Sequence, residues 1–344
     1  MSRRHHYCGE SGQTLVAFVV FLIVSLSFMA IVIDGGMYLF ERRQMQGTAD
    51  AAALAAVRDL PNSVSSAHAT AVGYVRNYNA SAKGDLRSIA FSDANRSVTI
   101  QAGKKGTTSF SGLLGVDKPE IGARATARVQ MMGPRPGMLP LAFMRDTFTI
   151  GENYEVKFDD NGYGNRGAIA PNMLPTCSPA RGANDFERLI MGEEHGGIDA
   201  CPTAIAETLD TEPGNMAGKT RSGFDNRLDG DGDSYSDVFG VDPATGLATI
   251  EKPNSSRIGI VPVIEHIDGR NSWPNGRSQP VRILAYMLVY IGKEGEPGNP
   301  AWTNNGKSVW VTPIRPILPA DWVDGEFVDY DANLPAPVVY RLVD

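Results

Sequence analysis

The chain has 344 residues, with 32 Lys and Arg against 39 Asp and Glu and a net charge of −7 at neutral pH, which is long enough for a membrane anchor and one or two folded domains. Residues 1–60 are balanced, with Arg3, Arg4, Arg42, Arg43 and Arg58 against Glu10, Asp34, Glu41, Asp50 and Asp59, so the whole acidic excess lies beyond them and argues against nucleic acid or an anionic-lipid patch as its partner. The 37 glycines and 22 prolines favour turn-rich β structure over a helix bundle.

The first element is an apolar run at residues 15–33, LVAFVVFLIVSLSFMAIVI, with no charge and only Ser25 and Ser27 as polar interruptions. At a rise of ~1.5 Å per residue it spans about 28 Å, the hydrocarbon thickness of a bilayer. A serine in such a helix bonds back to its own backbone and costs little. A secretory signal peptide has a shorter apolar core and a small-residue cleavage site after it, whereas Asp34-Gly35-Gly36-Met37-Tyr38 follows here. The run is therefore expected to be a retained span. Residues 37–60, MYLFERRQMQGTADAAALAAVRDL, are rich in helix formers, and Pro61 stops them. The pair Gly35-Gly36 is expected to allow a bend where the helix leaves lipid.

The pattern GQTLVAF, an apolar span, then DGGMYLFERRQMQGTADAAALAAV resembles the N-terminus of the TadE/TadG-like group of Flp (tight-adherence) pilus-assembly proteins. The resemblance implies a single-pass protein of the bacterial envelope, with the lipid bilayer and pilin or pilus-assembly subunits as partners of the N-terminal helix. It further implies translocation of the C-terminal part, so the N-terminus is expected in the cytoplasm and the C-terminal domain outside. Pilin precursors are cut after a glycine and carry glutamate as the fifth mature residue. Cutting after Gly12 or Gly9 would put Ala17 or Thr14 there, which favours an uncut anchor.

Beyond Pro61, the spacing of Ala71, Val72, Val75 and Tyr78 predicts a helix over 67–78. Strands are predicted at 88–91, 98–102 and 121–130, the first two joined through Asp93-Ala94-Asn95-Arg96. The apolar element Phe110-Ser111-Gly112-Leu113-Leu114-Gly115-Val116 lies before the third, and with IGARATARV it resembles the small domain of the same group. The pentapeptide Gly133-Pro134-Arg135-Pro136-Gly137 reads as a linker. After it come short strands to 185, a short helix at 184–191, and Gly/Asp-rich loops over 192–256. Strands return at 257–263, 281–291, 309–317 and 338–343. The 281–291 strand, VRILAYMLVYI, alternates poorly and is expected to be buried on both faces. The segments TEPGNMAGKT and IVPVIE again resemble distal domains found after such anchors. The expected fold is α+β: a membrane anchor and long helix (1–60), a small pilin-like α+β unit (61–133) and a β-rich extracytoplasmic domain (134–344).

The sharpest local chemistry is Asp229-Gly-Asp231-Gly-Asp233-Ser-Tyr-Ser-Asp237. Acids at loop positions 1, 3, 5 and 9 can converge on a hard cation, so a Ca2+ site is expected at Asp229, Asp231, Asp233 and Asp237. The loop departs from an EF-hand at Ser234 and Gly240, where glycine and glutamate would stand, and a solvated acidic turn is the alternative. Cys177 and Cys201 are expected to form a disulfide, as fits an exported domain. Cys8 lacks the residues of a lipoprotein box before it. His195 and His266 stand in no HExxH or paired-His spacing, and neither a GxSxG nor a P-loop occurs. Trp273, Trp302, Trp310 and Trp322 cluster late, as core or loop packing. No catalytic residue is expected, and the function implied is non-enzymatic assembly or anchoring of a Flp-type pilus. The competing possibility is an anchored ligand-binding or hydrolytic domain using the acidic loop.

Overall fold

A computed structural model describes residues 13–343 except 61, 79–83, 111, 113, 114, 116, 158–165, 169–181, 212, 213, 215, 271, 272, 274–279, 294–300, 320, 321, 323 and 324. The chain divides into two compact units, Met1–Arg128 with Arg341–Asp344, and Val129–Tyr340.

In the first unit, α1 (Gln13–Val57) is one helix of 45 residues, about 68 Å long at ~1.5 Å per residue. It runs unbroken through Gly35 and Gly36. Its two halves differ in what covers them. Leu15, Phe18, Phe21 and Ile31 are 66%, 61%, 69% and 70% exposed, whereas Met45, Ala49, Ala52, Ala53 and Ala56 are fully buried. The buried set recurs at i, i+4, i+7, i+8 and i+11, one face of a helix, and its alanines let neighbours come close. Ser63 caps α2 (Val64–Gly73), its side chain accepting the Ser66 N–H. A π-helical turn, Tyr74–Tyr78, continues it, so the helix predicted over 67–78 begins and ends its α-helical part earlier.

The strands β1 (Asp85–Ser92), β2 (Ser97–Lys105) and β3 (Glu120–Met132) form an antiparallel meander, with Phe91 opposite Val98 and Lys105 opposite Glu120. The β1–β2 turn needs positive φ at Asp93, Ala94 and Asn95 (53°, 53° and 62°). Val98, Ile100 and Ala102 of β2 are buried, and β2 packs against α1.

The second unit contains β4 (Leu141–Met144), β5 (Tyr154–Val156), β6 (Arg166–Ala168), α3 (Gly182–Met191), β7 (Thr208–Asp210), α4 (Ala217–Arg227), α5 (Tyr235–Val238), β8 (Phe239–Val241), β9 (Ala248–Ile250), β10 (Ile258–His266), β11 (Pro280–Ile291), β12 (Trp302–Thr303), β13 (Ser308–Ile314), β14 (Phe327–Asp329) and the first half of β15 (Val338–Val343), whose residues from Arg341 on belong to the first unit. Its main sheet runs β12-β13-β11-β10-β4-β6, with β5 on β13 and β7 on β11. β11 is central and buried from Ala285 to Ile291 except where its start emerges, so it is covered on both faces as its unbroken apolar run predicts. One register shift between Val263 and Ile264 changes which side chains face which layer. Val281 and Ile283 join Tyr286, Leu288 and Tyr290 in one core, while Ala285, Met287, Val289 and Ile291 enter the opposite one. Phe186 and Ile190 of α3 and Phe224 of α4 cover the second core.

Two departures from the sequence expectation have physical causes. The pentapeptide 133–137 is packed rather than a free linker: the Gly133 N–H donates to Glu326 O at 3.0 Å and the Gly137 N–H to Ala200 O at 3.0 Å. A Cβ on Gly133 would lie 2.7 Å from Glu326 O, so glycine is required there by close approach. The Gly/Asp-rich stretch 192–256 also contains α4, α5 and the β8–β9 hairpin. The fold is thus a long N-terminal apolar helix followed by a β-rich domain with mixed α/β content.

Candidate functional site

Two places carry the polar chemistry that the sequence singles out or implies: the exit of the apolar helix and the acidic loop. Immediately after the apolar run, Asp34 turns toward the loop that follows β2. Its Oδ1 accepts the Ser109 N–H at 2.9 Å, and the Phe110 N–H reaches Oδ1 at 3.3 Å and Oδ2 at 3.2 Å. Two turns later Glu41 is buried, and its carboxylate accepts Lys104 Nζ at 3.1 Å, Thr107 N–H at 3.0 Å and Thr107 Oγ1 at 2.8 Å. A buried carboxylate is costly unless paired and hydrogen-bonded, and here one side chain has three donors. Further along, Gln46 Nε2 donates to Arg124 O at 3.0 Å. Three polar residues of α1 thus fasten the meander to the helix. Asp34 and Glu41 enter the sequence analysis only as charges; the signal that could have found them is two isolated acids on the inner face of a helix otherwise read for its apolar run.

In the acidic loop the four carboxylates do not converge. Asp231 Oδ1 accepts the Asp233 N–H at 3.0 Å and lies 3.4 Å from Arg257 Nε, and Oδ2 accepts Ser255 Oγ at 3.1 Å. Asp233 pairs with Lys252 Nζ at 2.6 Å. Asp237 Oδ2 accepts both the N–H and the hydroxyl of Ser234, at 2.8 and 2.6 Å, closing the capping box of α5. The Ser234 hydroxyl holds the Asp237 carboxyl below its usual range, and Asp233 pushes the Lys252 ammonium up. Asp229 is exposed. Among the described residues no three His, Cys, Asp or Glu side chains group as a metal shell.

The loop is instead bound to the β10–β11 hairpin. Arg257, whose side chain is 3% exposed, donates to Asp231 O at 2.8 Å and Ile291 O at 3.0 Å. The Tyr290 hydroxyl donates to Asp233 O at 2.9 Å, and Tyr235 packs edge-on to the Tyr290 ring. In this structure Arg257 and Lys252 stand beside Asp231 and Asp233 and offset their charge.

Of the remaining residues, His195 Nε2 lies 3.2 Å from Ser256 Oγ, at a cleft of about 270 Å³ bordered by Asp199, Arg227 and Trp322. Arg227 donates to the carbonyls of Ile190, Ser256 and Ile258, which ties the end of α3 to the start of β10. His266 is buried with Nδ1 4.0 Å from Asp268, and neighbouring Glu265 accepts Arg282 Nε at 3.1 Å. Trp273 is buried in the core, and Trp302 donates to Asp225 at 2.6 Å. Cys201 is disulfide-bonded, while its expected partner Cys177 lies outside the described residues, as does Cys8.

α1 is one helix long and apolar enough to cross a membrane, with a mean hydropathy of 3.0 in its apolar window and 6% of that window buried. Residues 12–59 match the Tad family model, “Putative Flp pilus-assembly TadE/G-like”. That match takes in the whole of α1, with Asp34, Glu41 and Gln46 inside it. No curated protein and no solved structure matches the chain. The TadE/G-like segment is therefore the part of the molecule that carries the pilus-related assignment.

Proposed function

We propose that the protein is a single-pass anchor of the bacterial envelope that assembles or holds a Flp/Tad-type pilus and performs no catalysis. Residues 15–33 lie in the bilayer, the N-terminus faces the cytoplasm and the β-rich unit faces outward. The first unit acts as a pilin-like module, presenting the helix α1 beside pilin or assembly-subunit helices, and the second unit holds or presents the fibre. The single observation that carries this is the coincidence of the TadE/G-like match with a helix whose first half is bare and apolar. An exposed apolar surface of that length in water is an aggregation hazard and needs a cover. The competing reading, an anchored domain working through a calcium loop, loses support because Asp231, Asp233 and Asp237 are already engaged by Arg257, Lys252 and Ser234.

The test is co-isolation. Full-length protein purified from its native membranes should carry pilin or pilus-assembly subunits, and deletion of the gene should remove surface fibres, restored by the intact chain but not by one lacking residues 15–33. Fibres of normal number in the deletion strain would contradict the assignment. The export half of the proposal includes a Cys177–Cys201 disulfide; alkylation of envelope protein without reductant should leave both residues unmodified and their peptides linked, and free alkylation of both would remove it.

A further inference from the structure

The outward-facing surface of α1 does not change from apolar to polar at Ile33. Asp34 is the first charged residue after the apolar run, yet its carboxylate is turned to the backbone of Ser109 and Phe110, and Ser109 Oγ lies 3.6 Å from Met37 Sδ. Phe110 is thereby held beside the helix at the level of the last apolar turn, with its side chain 37% exposed. The base of the same loop is tight: Gly106 N–H donates to Pro119 O at 2.8 Å, and a Cβ on Gly106 would come within 2.9 Å of Ile121 Cδ1. About 10 Å further along the helix, Leu39 and Phe40 are 60% and 63% exposed, and Arg42 and Arg43 are exposed just beyond. Glu41, between them, is withdrawn to Lys104 and Thr107, so its negative charge does not face the surface.

Outward-facing groups thus follow the order hydrocarbon, aromatic and apolar, cationic over about 15 Å of helix. This is the polarity order of a bilayer from the edge of its hydrocarbon core to its phosphates. Interfacial segments seat Phe and Leu side chains at the headgroup–acyl boundary, and arginine stems reach back along the helix to phosphate oxygens. We propose that Phe110, Leu39 and Phe40 form an interfacial collar seated in the phospholipid surface, with Asp34 as the tether that fixes the loop there, so that the first unit rests directly on the bilayer. The proposal rests on residues 15–33 spanning the membrane, and it adds a second lipid contact from a loop some 70 residues away in sequence.

The experiment places the photo-crosslinker p-benzoylphenylalanine at Phe110, at Ile23 in the middle of the span, or at Ala94 in the β1–β2 turn. Ala94 stands at the far end of β2, about 30 Å from the loop at the usual rise per residue. The full chain is reconstituted in phosphatidylethanolamine–phosphatidylglycerol vesicles, illuminated and weighed for lipid adducts. Lipid adducts at Ile23 and Phe110 but not at Ala94 are expected, and Asp34→Ala should lower the Phe110 adduct several-fold without changing that at Ile23. An adduct at Ile23 with none at Phe110, or with protein in place of lipid at Phe110, overturns the collar and leaves the anchor intact. Equal adducts at Phe110 and Ala94 overturn it as well. An unchanged Phe110 adduct in Asp34→Ala removes the tether, and no adduct at Ile23 overturns the anchor on which the collar depends.

Discussion

At the residue scale, Arg257 and the acidic loop decide how the β-rich unit manages its charge. The guanidinium donates to two backbone carbonyls and lies 3.4 Å from Asp231, so the crowded carboxylates are offset by the protein's own cations. Millimolar calcium is accordingly expected to leave the melting temperature of the full chain unmoved, whereas a ligand held by the folded state would raise it by linkage. Asp231→Asn with Asp233→Asn should lower that temperature with or without calcium; a rise on adding calcium that the double variant abolishes would show that the loop exchanges Arg257 and Lys252 for metal. Glu187 gives a pH test. Burial pushes its carboxyl up, but the Ser222 hydroxyl and the Lys219 ammonium at 2.6 Å outweigh that and hold it below its usual value. A folded pKa below the unfolded one stabilises above the unfolded value, roughly pH 4.3, and the contribution is lost as pH falls through the folded value. Glu187→Gln should therefore cost about 1 kcal/mol at neutral pH and nothing near pH 2, read from denaturant unfolding at both. A difference that persists unchanged at pH 2 would contradict it. The acidic spacing was visible in the sequence, but its partners were not: Ser255 and Arg257 lie 24 and 26 residues on, and the β8–β9 hairpin in between turns the chain back to them.

At the element scale, α1 and β11 were legible because each carries a long apolar run that sets its own length. The meander was legible too, through alternation in Val98, Ile100 and Ala102 and a turn rich in Asp and Asn. The helix α4 was not. Its sequence, AGKTRSGFDNR, buries only Thr220, Gly223 and Phe224, too few apolar residues to show a period. What forms it is packing on α3, where Gly223 lets the two helices approach: a Cβ there would lie 3.0 Å from Ile190 Cβ and 3.1 Å from Glu187 O. Gly223→Ala sets a helix-propensity gain of about 1 kcal/mol against overpacking of about 1–3 kcal/mol. Because the opposed atoms are a branch point and a carbonyl, overpacking should win. A net loss of stability by chemical denaturation is expected, and a gain would show that the α3–α4 crossing has slack. The segment 133–137 taught the converse lesson, since Gly and Pro serve close approach as well as freedom, and sequence does not separate the two.

At the scale of the whole molecule, the apolar half of α1 is left exposed by the described residues, and its buried half is fastened to the meander by Asp34, Glu41 and Gln46. In the proposed anchor, a helix so divided would carry the position of the bilayer to the folded unit beside it. Which side of the membrane holds the β-rich unit was not legible from charge, because Arg3 and Arg4 precede the span while Arg42 and Arg43 follow it; orientation came from the TadE/TadG-like resemblance. The most direct test is protease treatment of intact spheroplasts carrying the full chain with an epitope after Asp344. The epitope should be lost from the membrane fraction without lysis, leaving a membrane-held fragment that contains residues 15–33. An epitope that survives until the spheroplasts are broken, or a chain that appears whole in the soluble fraction, would contradict the account.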